Sequence, residues 1–309
     1  MIVSASYKTD IPAFYGAWFL NRLRAGYCKM VNPYGGQVST VRLDGDSVDG
    51  FVFWTRNLEP FLGALEEVGK RDLAFIVHLT ATGYPRALDY ATIAPKRAAE
   101  QGRLIAATYG ARVAVWRYDP IVITSLTPPE WHLDNFRRLA GRLTGAVDEV
   151  VVSFAQIYRK TGRNMAAASR AFDFSWSDPE IAEKQDLLAA LNEIAGGHGM
   201  KLTLCGQPKL LIPGVAESSC IDVGRLSDAA GRHISAPGKP HRDCCRCFAS
   251  KDIGAYDTCP HGCVYCYGVN SRTTAKRRYA GHDPQSEFLF EPALKVAPAP
   301  KDTLQGRLF

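Results

Sequence analysis

The sequence predicts an α/β protein built on a parallel sheet: a full or partial TIM-like β/α barrel closed by a cysteine-rich C-terminal segment. Three observations predict it. Short apolar, β-branched runs alternate with amphipathic stretches from Ile2 to Leu204, the pattern of strands joined by crossover helices. Nearly every expected strand ends in polar, chemically capable residues, as at the C-terminal rim of a barrel. Six of the nine cysteines fall between residues 244 and 266, where the alternation runs out.

The strands are expected at Ile2–Ser6, Gly50–Trp54, Leu73–Leu79, Arg112–Trp116, Glu149–Ser153, Lys201–Leu204 and Ile253–Tyr256. The first helix, Pro12–Ala25, opens after Asp10 and stops at Gly26; Glu59–Gly69 follows Asn57. Further helices are expected at Thr92–Tyr109, Pro129–Leu143 and Asp178–Ile194. The last starts on Asp178-Pro179 and stops at Gly196-Gly197. From about Glu217 the chain becomes rich in Cys, Gly, Asp and His and loses regular periodicity. The expected organisation is therefore a barrel over 1–215, a cysteine-rich iron–sulfur segment over 216–282 that completes it, and an extended or disordered tail over 283–309.

The strand ends carry the functional reading. They offer Lys8-Thr9-Asp10, Thr55-Arg56-Asn57, Thr80 with Thr82, Arg117-Tyr118-Asp119-Pro120 and Cys205-Gly206-Gln207; the final strand leads into the cysteines. Turns are polar in any case. Arg, Asp, Thr and Cys at so many strand ends nevertheless fit one shared rim better than the single crevice of an open sheet.

The 309 residues are 46% hydrophobic, enough for one large α/β domain with a small appendage. The net charge of +6 comes from 37 basic and 31 acidic residues spread along the chain. That is a solvated surface rather than a nucleic-acid face. The N-terminus lacks a secretory pattern and no apolar run is long enough to span a bilayer. The expected location is the cytoplasm, where thiols stay reduced and a cysteine cluster means metal rather than disulfides.

Cys259, Cys263 and Cys266 stand at C-x3-C-x2-C spacing with Tyr265 just before the third. Three thiolates can hold three irons of a [4Fe–4S] cube and leave the fourth iron open. Pro260 and Gly262 suit a loop that curls around a cluster and turns backbone N–H groups toward sulfur; Val264 and Tyr265 would shield it from water. This spacing resembles the signature of the radical S-adenosylmethionine (SAM) enzymes. The resemblance implies that the open iron chelates SAM and that one electron splits its sulfonium. The superfamily usually carries this loop near its N-terminus, so the strand order here would be circularly permuted, which a barrel with neighbouring first and last strands allows.

Four other cysteines invite a second site. Cys205, Cys220, Cys245 and Cys247 are the expected ligands of an auxiliary [4Fe–4S] cluster, with Cys244 as a substitute. The competing reading is a zinc ribbon on Cys245, Cys247, Cys263 and Cys266, which leaves Cys259 without a role.

The stretches Thr9-Asp10-Ile11-Pro12, Phe53-Trp54-Thr55-Arg56-Asn57, Trp116-Arg117-Tyr118-Asp119-Pro120-Ile121 and Asp252-Ile253-Gly254 through Cys259-Pro260-His261 resemble the bacterial domain-of-unknown-function 1848 family, from residue 1 to about 283. For SAM itself, Arg117 and Arg56 are the expected cations and Asp119, Asp10 and Asn57 the polar partners, with Tyr265 beside the cluster. An ion pair tying the rim together is the alternative role for Arg117 and Asp119. The expected partners are a polar small molecule or peptide substrate and an electron donor such as flavodoxin or ferredoxin. A membrane has no place in this reading, and the modest charge gives nucleic acid little support.

Overall fold

The parallel sheet follows from the strand pattern. The computed structural model describes residues 1–32, 35–240 and 244–291. Its elements in chain order are β1 (Ile2–Ala5), α1 (Ile11–Phe14), α2 (Gly16–Ala25), β2 (Tyr27–Val31), β3 (Val38–Arg42), β4 (Gly50–Thr55), α3 (Leu62–Lys70), β5 (Ala74–Thr80) and α4 (Pro95–Tyr109). Then come β6 (Ala114–Ile121), α5 (Pro129–Leu143), β7 (Glu149–Phe154), α6 (Arg159–Phe172), α7 (Ile181–Gly197) and β8 (Lys201–Leu204). The chain closes with β9 (Ala216–Glu217), α8 (Val223–Ala230), β10 (Ser250–Asp252) and α9 (Arg272–Ala280).

Eight strands form one sheet in the order β10-β1-β4-β5-β6-β7-β8-β9, with every neighbouring pair parallel. The edges β10 and β9 do not pair with each other, so the sheet among the described residues is open rather than a full barrel. The two edge strands span only three and two residues, which leaves few backbone groups to close a ladder. The β2–β3 hairpin stands apart as a second, antiparallel sheet.

Side-chain alternation gives the large sheet two unlike faces. One carries Val3, Ala5, Phe51, Phe53, Val77, Trp116, Val150, Val152, Leu202 and Leu204 into the main core beneath the helices. The other begins apolar, with Ile2, Val52 and Ile76 against Ile221 and Leu226. Toward the strand ends it turns polar with Ser4, Trp54, His78, Arg117 and Cys205. The described residues of the stretch between Ser218 and Phe248, from Cys220 to Ala236 and from Cys245 to Phe248, cover that second face.

The sequence placed six of the strands of this sheet to within a few residues. The seventh expectation, Ile253–Tyr256, shifts to Ser250–Asp252, where Ile2 pairs with Ser250 and Ser4 with Asp252. Ser-Lys-Asp has no apolar signature because an edge strand has one open side; what holds it is Asp252, which accepts from Ser4 Oγ at 3.0 Å and Ser6 Oγ at 2.8 Å. The first expected helix divides at Tyr15 into α1 and α2, with Asp10 capping the Ala13 N–H at 2.9 Å and Gly26 ending α2 at a φ of +78°. The helix expected from Asp178 starts at Ile181 instead. Glu180 and Glu183 form its capping box, and Asp178 pairs with Lys184 at 2.6 Å.

Helices α6, α8 and α9 and the β2–β3 hairpin have no counterpart in the sequence reading. Of the expected tail, residues 283–291 lie along α2 and β2. Trp18 Nε1 donates to Ser286 O at 3.0 Å, Lys29 pairs with Glu287 at 2.6 Å, and Leu289 is buried in the core. The rest of the tail, 292–309, lies outside the described residues. No described helix is long and apolar enough to cross a membrane.

An aromatic knot joins α2, β4 and β5. The Phe53 ring lies 5.4 Å from Phe19, 5.0 Å from Phe61 and 6.1 Å from Phe75. Phe53→Ala is expected to lower unfolding free energy by about 3–5 kcal/mol, read from urea denaturation.

Candidate metal centre

β10 delivers the chain to the C-terminal end of β1, and the cysteine loop follows at once. Tyr15 Oη donates to Thr258 O at 2.6 Å, seating the residue before Cys259 on α1. The loop curls through Gly262 at a φ of +81°, a conformation glycine adopts without strain. Gly268 closes it: a Cβ there would meet Lys8 O at 2.7 Å, so the loop lies directly on the chain leaving β1.

The three thiols gather within one another's electrostatic reach, and all three residues are half-buried. Burial pushes Cys259 up to about 12, with Asp10 and Cys266 adding to the shift. Burial likewise raises Cys263, against an opposing pull from Arg56, and raises Cys266. Bare thiolates are therefore disfavoured, and a bound cation is what would stabilise them. Backbone N–H groups nevertheless aim at sulfur: those of His261 and Asp10 at Cys259, and those of Gly268, at 3.2 Å, and Val269 at Cys266.

Beside the thiols lies a buried polar network. Arg56 Nη1 donates to Asp89 Oδ2 at 2.8 Å and Thr82 Oγ1 at 3.2 Å; Arg56 Nη2 donates to Tyr265 Oη at 2.7 Å. Tyr265 Oη donates to Asp89 Oδ1 at 2.6 Å, and Thr82 Oγ1 to Asp89 Oδ2 at 2.9 Å. Asp10 Oδ2 accepts from the Arg56 N–H at 2.8 Å and contacts His261 Nε2 at 2.8 Å, while His261 O accepts from the Ala91 N–H. Arg56, Asp10 and Tyr265 thus stand together at the loop. Asp89 is the residue the sequence reading missed; a single Asp after Leu88 carries no motif. Lys160, on α6, sits close enough to lower the Cys266 thiol, an effect smaller than burial and the backbone donors.

The other expected residues stand elsewhere. Asn57 Oδ1 accepts from Gln101 Nε2 at 2.8 Å and from the Glu59 N–H, fixing the turn after β4. Arg117 is bound to Asp119 through Nε at 3.0 Å and brings Nη1 to 3.0 Å from Cys220 Sγ. Ser153 Oγ donates to the other oxygen of Asp119. Arg117 therefore belongs with the second group of cysteines. Its Cζ lies 5.1 Å from the Trp54 ring, which stacks on His78 at 4.3 Å. That group is real in space: Cys205 and Cys220 sulfurs are 3.4 Å apart, Cys220 also interacts with Cys247, and Cys247 with Cys245. Hydrogen bonds from Cys205 and Cys247, then Arg117, hold Cys220 well below an ordinary thiol, and the same contacts raise Cys205 and Cys247. Cys244 is exposed.

Among the described residues no group of three or more His, Cys, Asp or Glu side chains is placed to hold a single metal ion. Convergence on one point is what a single ion requires; the thiolates of a cube each take a different iron.

The profile of the family described as "domain of unknown function (DUF1848)" matches residues 2–268. The chain belongs to the DUF1848 family. The matched span runs from β1 through Cys266, so the DUF1848 region contains both groups of cysteines and the Arg56–Asp89 network. No curated protein and no solved structure matches the chain.

Two measurements probe this region. Asp89→Asn leaves the buried Arg56 without its anion and is expected to destabilise by about 3–5 kcal/mol in denaturant unfolding, while Tyr265→Phe costs about 1–3 kcal/mol. His132 lies on α5, where it faces the core. It is fully buried between Tyr118 Oη at 2.8 Å and Val122 O at 3.1 Å, and burial lowers it to about 4; burial does the same to His78. The unfolded chain takes up these protons first, so their contribution is complete above about pH 6.5 and is lost toward pH 4. Each histidine is expected to remove up to about 3 kcal/mol over that window, and His132→Gln to flatten part of the slope in urea titrations.

Proposed function

We propose that this DUF1848 protein is a radical SAM enzyme whose Cys259, Cys263 and Cys266 hold a [4Fe–4S] cluster by three irons. The observation that carries the reading is the seat of the three thiols: soft donors only, half-buried together, with backbone N–H groups aimed at two of the sulfurs, at the C-terminal ends of β1 and β4. A cluster bound there would supply one electron to the sulfonium of SAM held on its open iron, as the resemblance of the loop implies.

The chain's own residues position and shield. Asp89 holds Arg56 and Tyr265 as one unit, so the Tyr265 ring is fixed in the loop and the Arg56 charge stays beside Cys263. Asp10 orients His261 against the loop. Arg56 acts here as a positioning residue, because its guanidinium donors are engaged by Asp89, Thr82 and Tyr265. Lys160 offers a positive charge near Cys266 for an anionic group such as the SAM carboxylate. Tyr265 and Val264 exclude water from the radical's surroundings. The parallel sheet with its polar strand ends is compatible with a permuted, partial β/α barrel, in which β10 takes the place of the usual first strand. The substrate is expected to be a polar small molecule or peptide, with a reduced flavodoxin or ferredoxin as electron donor.

Anaerobic reconstitution with iron and sulfide, followed by reduction in the presence of SAM, is expected to give deoxyadenosine or another SAM fragment. Cys259→Ala is expected to abolish that product. A parent protein that yields no fragment, or a Cys259→Ala variant equal to the parent, overturns the reading.

A further inference from the structure

The Cys205, Cys220, Cys245 and Cys247 group lies apart from the loop, and three observations say what it takes. Its thiols come from three separated segments: the end of β8, the stretch before α8, and the cysteine-rich run before β10. They meet in a chain of sulfur contacts, with Cys205 and Cys220 at 3.4 Å. A buried cation is built against them: Arg117 is 6% exposed and places Nη1 3.0 Å from Cys220 Sγ. The group also borders an unsatisfied buried donor–acceptor site. His78 Nε2 contacts Cys220 O at 2.8 Å, while its Nδ1 is buried with no hydrogen-bond partner. Free cysteines serving only as small apolar filler need neither the cation nor the orphan nitrogen.

We propose that Cys205, Cys220, Cys245 and Cys247 hold a second iron–sulfur cluster, with Arg117 as the cation that offsets its charge. Four thiolates with no carboxylate among them select soft metals over hard cations. All four donors are thiols that reach one another in sequence, and a cube takes one thiolate on each of its four irons. Loading exchanges the thiol protons for iron, so the Cys205–Cys220 thiol contact belongs to the unloaded chain. With every iron held by protein, this cluster has no open position for substrate. It serves electron transfer, next to the stacked Trp54 and His78 rings.

The test uses the full chain and a variant with Cys259→Ala, Cys263→Ala and Cys266→Ala together, each reconstituted anaerobically with ferrous iron and sulfide. The triple variant is expected to keep about four irons and about four acid-labile sulfides per chain, with a paramagnetic signal on dithionite reduction. Adding Cys245→Ser, a half-exposed position whose loss leaves the core intact, is expected to remove or shrink that signal. Adding Arg117→Gln is expected to shift its midpoint potential downward; an unchanged potential overturns the role of Arg117. A triple variant that binds no iron, or that binds zinc without sulfide, overturns the second site. The loop reading fails separately: parent and triple variant would then carry equal iron, whereas failure of the second site alone leaves iron in the parent only.

Discussion

The buried Arg56–Asp89 ion pair is the contact on which the cysteine loop depends. Arg56 follows β4, Asp89 lies in the excursion after β5, and Tyr265 sits between the second and third loop cysteines. A charge pair withdrawn from water persists only when its remaining donors and acceptors are filled. Thr82 and Tyr265 fill them, and that requirement sets where the loop can lie. Asp10 extends the constraint to β1 by accepting the Arg56 N–H and meeting His261. Four segments distant in sequence are thereby joined around three thiols.

The same logic governs the far side of the sheet. A parallel sheet buried on both faces ordinarily carries apolar residues on both. Here one face ends in Ser4, Trp54, His78 and Arg117, which the covering segment must satisfy rather than merely bury. It does so through Cys220, whose carbonyl meets His78 and whose sulfur meets Arg117, while Asp252 of β10 and Asp119 of β6 take Ser4 and the rest of Arg117 from within the sheet. The cysteine-rich segment is thus both a lid on the polar face and the source of the thiols beside Arg117. The two thiol groups differ in company: Cys263 lies by Arg56, whose donors go to Asp89, Thr82 and Tyr265, whereas Cys220 takes an N–H directly from Arg117, itself paired with Asp119.

Particular residues show why some of this was legible and some was not. Strands β4, β5, β7 and β8 announce themselves because runs such as Val150-Val151-Val152 fit only a buried strand. Strand β10 does not, since Ser250-Lys251-Asp252 is held by one neighbour and by the Asp252 side chain rather than by burial. Helix α6 hides because its inner stripe, Thr161, Met165 and Ala168, holds only one large apolar side chain in an otherwise polar run. The ion pair of Arg117 with Asp119, the alternative to their expected role at SAM, is present, and Arg117 lies with Cys220 and not with the loop, because β6 sits four places from β10 in the sheet.

By itself the sequence determined the alternating α/β architecture, the C-x3-C-x2-C loop, and the pool of thiols and strand-end residues from which any site must be drawn. These are local properties: periodicity, spacing and residue chemistry. Only the tertiary structure decided that the sheet stays open, that Asp89 anchors Arg56, and that Cys205, Cys220 and Cys247 come within contact. Those outcomes depend on strand order and on how buried charges find partners across long separations, and neither quantity is written in any short stretch of chain.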